Sequence, residues 1–280
     1  IASVFKWLTL SLFAYVITAF FCHIDFNTVL KDTFIPNVTM QPTYIAALLA
    51  ILGTTISPYL FFWQCNTEVD EQKDAGQKEV ADRKGASDND LKYAAYDVGA
   101  GMLFSNIVMY FIILTAAATL YKGGIHEIDS AAQAAKALEP MLGSAAKYLF
   151  AAGFIGTGFL AVPVLIGSAA YAITEALGHP CGYGEKFGDA KVYYGLVIAS
   201  ILVGMCINFM NINAMQALYW TAILNGVLAP PLLLLLMLVS NDKKIMGVRT
   251  NSLLVNIGGW LTFGIMTLTV VLYAWTSFVK

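Results

Sequence analysis

The stretch that decides the fold reads Gly53-Thr54-Thr55-Ile56-Ser57-Pro58-Tyr59-Leu60-Phe61-Phe62-Trp63-Gln64. It lies inside an uncharged segment from Thr33 to Thr67, which predicts a membrane helix. Pro58 has no N–H, so the carbonyl four residues earlier, that of Thr54, loses its helical partner. Ser57, just before the proline, is biased out of the helical region. A broken, polar midpoint in an apolar helix indicates a transporter binding site; a simple proline kink in a packed helix is the alternative.

Composition places the whole chain in a lipid bilayer. Of its 280 residues, 58% are hydrophobic and only 12% are charged, and the mean hydropathy is +0.68. Soluble domains carry about 25% charged residues. The net charge of −2 argues against a nucleic-acid partner. The four cysteines are scattered singly and predict neither a disulfide framework nor a zinc site: Cys22, Cys65, Cys181 and Cys206.

An all-α, polytopic membrane protein is therefore expected. A membrane-spanning helix needs about 20 mainly apolar residues. Seven segments meet this requirement: Val4–Cys22, Thr43–Gln64, Ala95–Tyr121, Lys147–Leu177, Val192–Met210, Met215–Val239 and Asn251–Phe278. With a cytoplasmic N-terminus, eleven Lys and Arg residues lie inside and five outside, which predicts that orientation. Residues 65–94 then form a cytoplasmic loop, and residues 1–280 form a single transmembrane domain.

Few polar groups lie within the predicted spans. Asp97 opens the third span, where a carboxylate suits the helix dipole, and it precedes Asn106 on a glycine-rich polar stretch. Both are candidates for an ion path, although Asp97 also suits a helix-terminus or interface role. In the sixth span, Asn225 is a candidate buried amide. Pro230 and Pro231 break the helical pattern within that span and are expected to free further carbonyls, which indicates either a binding role or a simple kink.

The candidate ligands of the central stretch are all oxygens. They are the carbonyl of Thr54, the hydroxyls of Thr54, Thr55 and Ser57, and the phenol of Tyr59. Uncharged oxygen sites suit hard cations such as Na⁺ and Mg²⁺ rather than soft transition metals. A divalent ion also needs a carboxylate, which this segment does not contain. The carboxylate would have to come from elsewhere.

The central stretch resembles the sixth transmembrane helix of the NRAMP divalent-metal transporters, and especially the branch of NRAMP-related magnesium transporters. The supporting stretches are Lys6-Trp7-Leu8-Thr9-Leu10, Gly156-Thr157-Gly158-Phe159-Leu160-Ala161-Val162-Pro163 and Asn225-Gly226-Val227-Leu228-Ala229-Pro230-Pro231. The resemblance covers essentially the whole chain. It implies part of an inverted-repeat (LeuT-like/APC) transporter fold, with the seven spans as family helices five to eleven. It also implies that the chain is a fragment and that family helices one to four, its missing partners, lie upstream.

The family motif on this helix is Ala-x-x-Met-Pro-His, in which the alanine carbonyl and the methionine sulfur bind the metal. Aligned on the proline, the alanine falls on Thr54 and the methionine on Ser57. The two histidines that the family associates with proton coupling fall on Tyr59 and Gln64, and a polar helix-ten ligand falls near Asn225. Replacing a thioether by a hydroxyl favours Mg²⁺. The family's helix-one motif Asp-Pro-Gly-Asn, which supplies the charged ligand, does not occur in these 280 residues.

These observations predict a secondary transporter or facilitator of divalent ions, Mg²⁺ and also Mn²⁺, with weak or no proton coupling. It would be a multi-pass plasma membrane protein, in a bacterial inner membrane, neither an enzyme nor dependent on a cofactor. Three alternatives stay open. They are a sodium-coupled amino-acid carrier of the same broad fold, a seven-helix receptor or light sensor, and an intramembrane hydrolase using Ser57. The hydrolase would need a general base, and no His, Lys or Asp lies near Ser57 in the sequence.

Overall fold

A computed structural model describes residues 13–22, 25–35, 37–139, 143–210 and 212–278. Within these residues the chain is helical and contains no β-strand, which confirms the all-α prediction. The described α-helices, in chain order, are α1 Phe13–Phe21, α2 Phe26–Phe34, α3 Pro42–Thr55, α4 Pro58–Asp74, α5 Asp88–Ala116, α6 Ala131–Ala135, α7 Ala146–Ala176, α8 Lys191–Phe209, α9 Ala214–Asn241, α10 Lys243–Met246 and α11 Leu253–Phe278.

Among the described residues, five helices are long and apolar enough to cross a membrane: Pro42–Asp74, Asp88–Tyr121, Lys147–Ala176, Ala214–Asn241 and Leu253–Phe278. They correspond to five of the seven predicted spans. Helix α8 is apolar but shorter and matches the fifth predicted span. Helix α1 lies in the first predicted span, whose residues 4–12 lie outside the described part of the chain. The chain is therefore a multi-pass membrane protein.

The outer faces of these helices are apolar, as a bilayer requires. On α11, Leu254 is 82% exposed and Phe278 is 86% exposed. A helix that is hydrophobic on all sides avoids water only if it is buried in protein or surrounded by lipid. Because α11 is largely uncovered by protein in this chain, these side chains are suited to contact lipid.

Helix α5 begins earlier than the sequence pattern predicted. Ser87 is its N-cap: the Ser87 hydroxyl accepts a hydrogen bond from the Asp90 N–H at 3.1 Å, and the Asp90 carboxylate accepts one from the Ser87 N–H at 3.0 Å. This reciprocal capping box fixes the helix start. The prediction that Asp97 opens the span is wrong. The helix dipole stabilises Asp88 and Asp90 instead, because its effect is confined to the first turn.

The chain divides into two compact units. The first comprises residues 1–34 and 62–215, and the second comprises residues 35–61 and 216–280. Helix α4 has its first residues in the second unit and the rest in the first. The sequence prediction of one transmembrane domain stays a prediction.

The first unit contains two buried clusters. In one, α1 packs against α5, and the Thr115 hydroxyl donates a buried hydrogen bond of 3.0 Å to the Tyr15 carbonyl. Leu138, at the end of the short 3₁₀ helix Lys136–Leu138, completes this cluster. In the other, α7 packs against α8 around Tyr171 and Tyr193.

The second unit is built on α3, α9 and α11. Helix α11 packs along α3, and α3 and α9 share a buried cluster of Leu49, Ala50, Ala222 and Ile223. At the far end of α9, the side-chain amides of Asn241 and Asn256 exchange hydrogen bonds of 2.7 and 2.8 Å. These contacts hold the central stretch against two other membrane helices.

Candidate functional site

The central helix is interrupted where the sequence predicted it. Helix α3 ends at Thr55, and Ile56 leaves the helical region with φ −114° and ψ 72°. Ser57 follows, and α4 begins at Pro58. A proline suits the first position of a helix because it has no N–H to satisfy there and its φ is already helical. The Leu60 N–H then donates to the Ser57 carbonyl at 3.1 Å, which closes the first turn of α4.

Ser57 occupies the centre of the interruption. Its side chain is buried, with 3% exposed, and its hydroxyl lies 3.0 Å from the Gly53 carbonyl and 3.0 Å from the Thr54 carbonyl. One hydroxyl hydrogen can serve only one of these carbonyls at a time. Because Pro58 has no N–H, the Thr54 carbonyl lacks a helical donor, as predicted. The Ser57 hydroxyl is a partner for this carbonyl. The two oxygen lone pairs of that hydroxyl stay available as acceptors.

The two threonine hydroxyls point back along α3. The Thr54 hydroxyl donates to the Ile51 carbonyl at 2.8 Å, and the Thr55 hydroxyl donates to the same carbonyl at 2.7 Å. Thr54 is exposed and Thr55 is half-buried. Because both hydroxyl hydrogens are donated to backbone, their oxygens can still act as acceptors. Tyr59, in the first turn of α4, is half-buried.

Helix α9 meets the broken helix by direct backbone contact. A Cβ on Gly53 would lie 2.8 Å from the Gly226 Cα, and a Cβ on Gly226 would lie 2.6 Å from the Leu49 carbonyl oxygen. Only glycine permits such an approach. Asn225 is half-buried in the same turn of α9. The structure thus brings the three residues predicted as metal ligands, Thr54, Ser57 and Asn225, into one packed unit.

Pro230 and Pro231 both lie inside α9, which runs continuously from Ala214 to Asn241. Their effect on hydrogen bonding persists. Neither proline has an N–H, so the carbonyls four residues earlier, those of Gly226 and Val227, have no helical donor. Both broken hydrogen-bond positions lie close to the turn that contacts Gly53.

Three further candidates lie in the first unit. Gln64 and Asp97 line the same cleft, of about 840 Å³, between α4, α5 and the loop that joins them. The cleft is strongly acidic, since its other charged lining residues are Glu68, Glu71, Asp82, Lys84 and Asp90. The Asn106 amide instead donates to the Met102 carbonyl of its own helix at 2.7 Å. The structure therefore joins Gln64 with Asp97 and leaves Asn106 apart from their cleft.

The sequence did not predict that Gly53 and Gly226 allow α3 and α9 to make direct backbone contact. Gly53 directly precedes Thr54 and Gly226 directly follows Asn225, so both glycines flank polar residues of membrane helices. Small residues in such positions indicate close helix contact, but nothing in the sequence pairs one glycine with the other. The capping box at Ser87 and Asp90 was a visible signal that the sequence interpretation did not use.

The fold and the site define a class: polytopic membrane proteins with a discontinuous transmembrane helix whose break is lined by oxygen atoms. Within that class the chain belongs to the Nramp family. The sequence model of that family, described as natural resistance-associated macrophage protein-like, matches residues 1–276. This confirms the resemblance to the NRAMP divalent-metal transporters as a family. It supports a transporter rather than an enzyme, and it gives no support to an amino-acid carrier or a receptor.

Several bacterial proteins named divalent metal cation transporter MntH are similar to this chain. The one from Caldanaerobacter subterraneus is 24% identical over 236 residues, which are 83% of this chain and 51% of that protein. The one from Yersinia enterocolitica is 24% identical over 253 residues, 89% of this chain and 55% of that protein. A third, from Pectobacterium carotovorum, is 28% identical over 147 residues. The chain spans about half the length of these two longest-matching relatives.

Proposed function

We propose that this chain forms part of a secondary transporter or facilitator for divalent metal ions in a bacterial plasma membrane. The observation that carries the proposal is the break at Ser57, where a buried hydroxyl lies 3.0 Å from two backbone carbonyls. The names of the similar proteins supply the ion class, divalent metal cations. A discontinuous helix in a membrane is tolerated where it lines a binding cavity.

The preferred ion in this proposal is Mg²⁺, with Mn²⁺ also accepted. In this proposal the ligands are all oxygens: the carbonyl of Thr54, the hydroxyl of Ser57 and, from α9, the amide oxygen of Asn225. Hard oxygen ligands favour Mg²⁺, whereas a sulfur ligand would favour softer ions. Mg²⁺ keeps several of its waters, so few direct ligands suffice. At least one carboxylate is still needed, and in this proposal it comes from another part of the transporter.

Weak or absent proton coupling belongs to the same proposal. The resemblance places two proton-linked histidines of the family at Tyr59 and Gln64, and neither position carries an imidazole, the side chain that ordinarily changes charge near neutral pH. Gln64 opens into the acidic cleft that it shares with Asp97. That cleft would attract a divalent cation electrostatically on the cytoplasmic side of the membrane, given the predicted orientation. The cleft is therefore proposed to concentrate divalent cations around Gln64 and Asp97.

Ion uptake tests the proposal directly. Cells that lack their own Mg²⁺ uptake and express the native gene should accumulate both Mg²⁺ and Mn²⁺. Ser57→Met should lower Mg²⁺ uptake about tenfold and keep Mn²⁺ uptake, because a thioether replaces an oxygen ligand. Asn225→Ala should weaken uptake of both ions. Uptake of neither ion by the native protein would contradict the proposed function, and an unchanged Mg²⁺ preference in Ser57→Met would contradict the assigned ligand.

Proton coupling needs a separate measurement. In membrane vesicles from the same cells, a pH-sensitive dye should show no acidification of the lumen when Mg²⁺ enters. Tyr59→His serves as the contrasting variant, since it restores a titratable group at a position where the family has one. Acidification driven by Mg²⁺ in the native protein would refute weak coupling and leave the ion assignment intact.

A further inference from the structure

Beyond the break, α4 is joined to α7 by a hydrogen bond between distant parts of the chain. The Tyr171 hydroxyl donates to the Asp70 carboxylate at 2.6 Å, across a separation of 101 residues. The other carboxylate oxygen of Asp70 accepts from the Lys73 ammonium at 3.2 Å. A hydrogen bond to a carboxylate is shorter and stronger than one between neutral groups. It is therefore a specific connection rather than a general packing contact.

The loop between α7 and α8 closes over this hydrogen bond. Gly182 has φ +137°, a conformation that favours glycine, and a Cβ there would lie 3.1 Å from an Asp70 carboxylate oxygen. The next residue, Tyr183, donates its N–H to the Tyr171 hydroxyl at 3.3 Å. Gly182 thus lets the loop approach α4 closely enough to reach both partners.

An aromatic contact accompanies the polar one. A Cβ on Gly167 of α7 would lie 2.6 Å from a ring carbon of Trp63, so the missing side chain makes room for the indole. The Trp63 ring packs edge-on against Tyr171, with centroids 6.2 Å apart, and against Tyr183 at 5.9 Å. We call Trp63, Asp70, Tyr171, Tyr183 and Tyr193 the tyrosine cluster.

One member of the tyrosine cluster has an unsatisfied polar group. Tyr193 is fully buried, and within the described part of the chain its hydroxyl has no partner in hydrogen-bond geometry. The ring centroid of Tyr193 lies 5.0 Å from that of Tyr171 and 5.6 Å from that of Tyr183. A buried hydroxyl without a partner costs stability that water would restore. Opening of the tyrosine cluster would give this hydroxyl access to water.

We propose that the tyrosine cluster is a conformational latch, which holds the 63–74 part of α4 against α7 in one state and releases it in another. This inference rests on the proposed transport function. Non-helical residues at a helix end can act as a hinge, and α4 begins beside such residues at Ile56 and Ser57. The released part of α4 carries the charged side chains of Glu68, Glu71 and Asp74, which can face water.

Cys181 is a natural reporter for the latch. It is half-buried against the tyrosine cluster, one residue before Gly182. Burial raises the pKa of its thiol, and the nearby Glu175, Asp70 and Glu185 carboxylates raise it further against a lowering effect of Lys73. Since the thiolate is the reactive form, Cys181 should react slowly with a maleimide while the latch is closed. Opening should expose it.

The test uses native membranes and a variant with Cys22, Cys65 and Cys206 replaced by serine. In this background, Tyr171→Phe removes the donor to Asp70 and keeps the ring. The rate of Cys181 alkylation should rise about tenfold, as expected for losing one hydrogen bond to a charged group. Gly182→Ala should act in the same direction, because its Cβ would crowd Asp70. An unchanged Cys181 rate in Tyr171→Phe would refute the latch.

Tyr194→Phe is the matched control. The Tyr194 hydroxyl donates to the Glu185 carbonyl at 2.9 Å, so its removal loosens the same loop without touching Asp70. The alkylation rate should stay within about twofold of the parent, since an exposed neutral hydrogen bond contributes little. An equal rise in Tyr194→Phe and Tyr171→Phe would mean that the loop merely loosens, and it would overturn the latch.

Metal dependence separates the latch from the transport proposal. Saturating Mg²⁺ should change the Cys181 rate at least about twofold in the parent and leave Tyr171→Phe unaffected, because that variant is already open. If ion uptake is absent while Tyr171→Phe still exposes Cys181, the proposed function is contradicted and the latch is supported. If uptake occurs and the Cys181 alkylation rate responds neither to Tyr171→Phe nor to Mg²⁺, the latch is contradicted and the transport function is supported.

Discussion

The second unit contains two proline sites with different outcomes. At Ser57-Pro58 the helix is interrupted, whereas at Pro230-Pro231 helix α9 continues without a break. Both sites leave carbonyls without helical donors. The difference lies in the neighbouring side chain: Ser57 supplies a hydroxyl for the carbonyls of the last α3 turn, and Ala229 supplies none. In an apolar environment a helix opens only where its freed polar groups find partners.

Disrupting the contact between α3 and α9 should have the largest effect on the stability of the protein. Gly226→Ala places a Cβ 2.6 Å from the Leu49 carbonyl oxygen, which is backbone and cannot move aside easily. We expect a loss of about 3 kcal/mol of unfolding free energy, from overpacking, measured by thermal unfolding in detergent. Gly258→Ala on α11 is the control, because nothing lies within 4 Å of its Cβ. Equal unfolding temperatures for the two variants would contradict the close helix contact.

Removing the hydroxyl of Ser57, the residue that distinguishes the two proline sites, should have the second-largest effect on stability. Ser57→Ala leaves the Gly53 and Thr54 carbonyls without their hydroxyl donor, which should cost about 2 kcal/mol. It should also reduce the stabilisation that added Mg²⁺ gives to the protein, since ligand binding raises unfolding temperature by mass action. Ser105→Ala is the matched control, because the exposed Ser105 hydroxyl donates only to the Met102 carbonyl at 3.1 Å. Its expected effect is within about 0.5 kcal/mol.

Replacing the prolines by alanine should have the smallest effect on stability. The two replacements should nevertheless differ in their effect on ion uptake. Pro230→Ala restores an N–H for the Gly226 carbonyl in a helix that is already continuous, and it should stabilise the protein by about 1 kcal/mol. Pro58→Ala restores the donor to the Thr54 carbonyl and favours a continuous helix. Ion uptake should fall strongly in Pro58→Ala and remain in Pro230→Ala. Loss of uptake in both variants would show that the two sites work alike.

Much of the fold could be predicted from composition and local chemistry. Long uncharged segments predict membrane helices because bilayer thickness sets their length, and five predicted spans are confirmed. The interruption at Pro58 could be predicted because a missing N–H is a property of one residue. At Pro230 and Pro231 the same rule left a binding role and a kink open, because the outcome depends on partners for the freed carbonyls. The sequence interpretation misplaced the start of α5 by overlooking Ser87.

The sequence by itself determined that this protein lies in a membrane, that its central helix is interrupted at Ser57, and that the interruption offers oxygen atoms. These follow from hydropathy and from the covalent structure of proline and serine. Only the tertiary structure decided that Gly53 meets Gly226, that Gln64 and Asp97 share an acidic cleft, and that Asp70 bonds to Tyr171. Such pairs depend on how distant helices pack, and side-chain packing across many residues leaves no local trace in a single sequence.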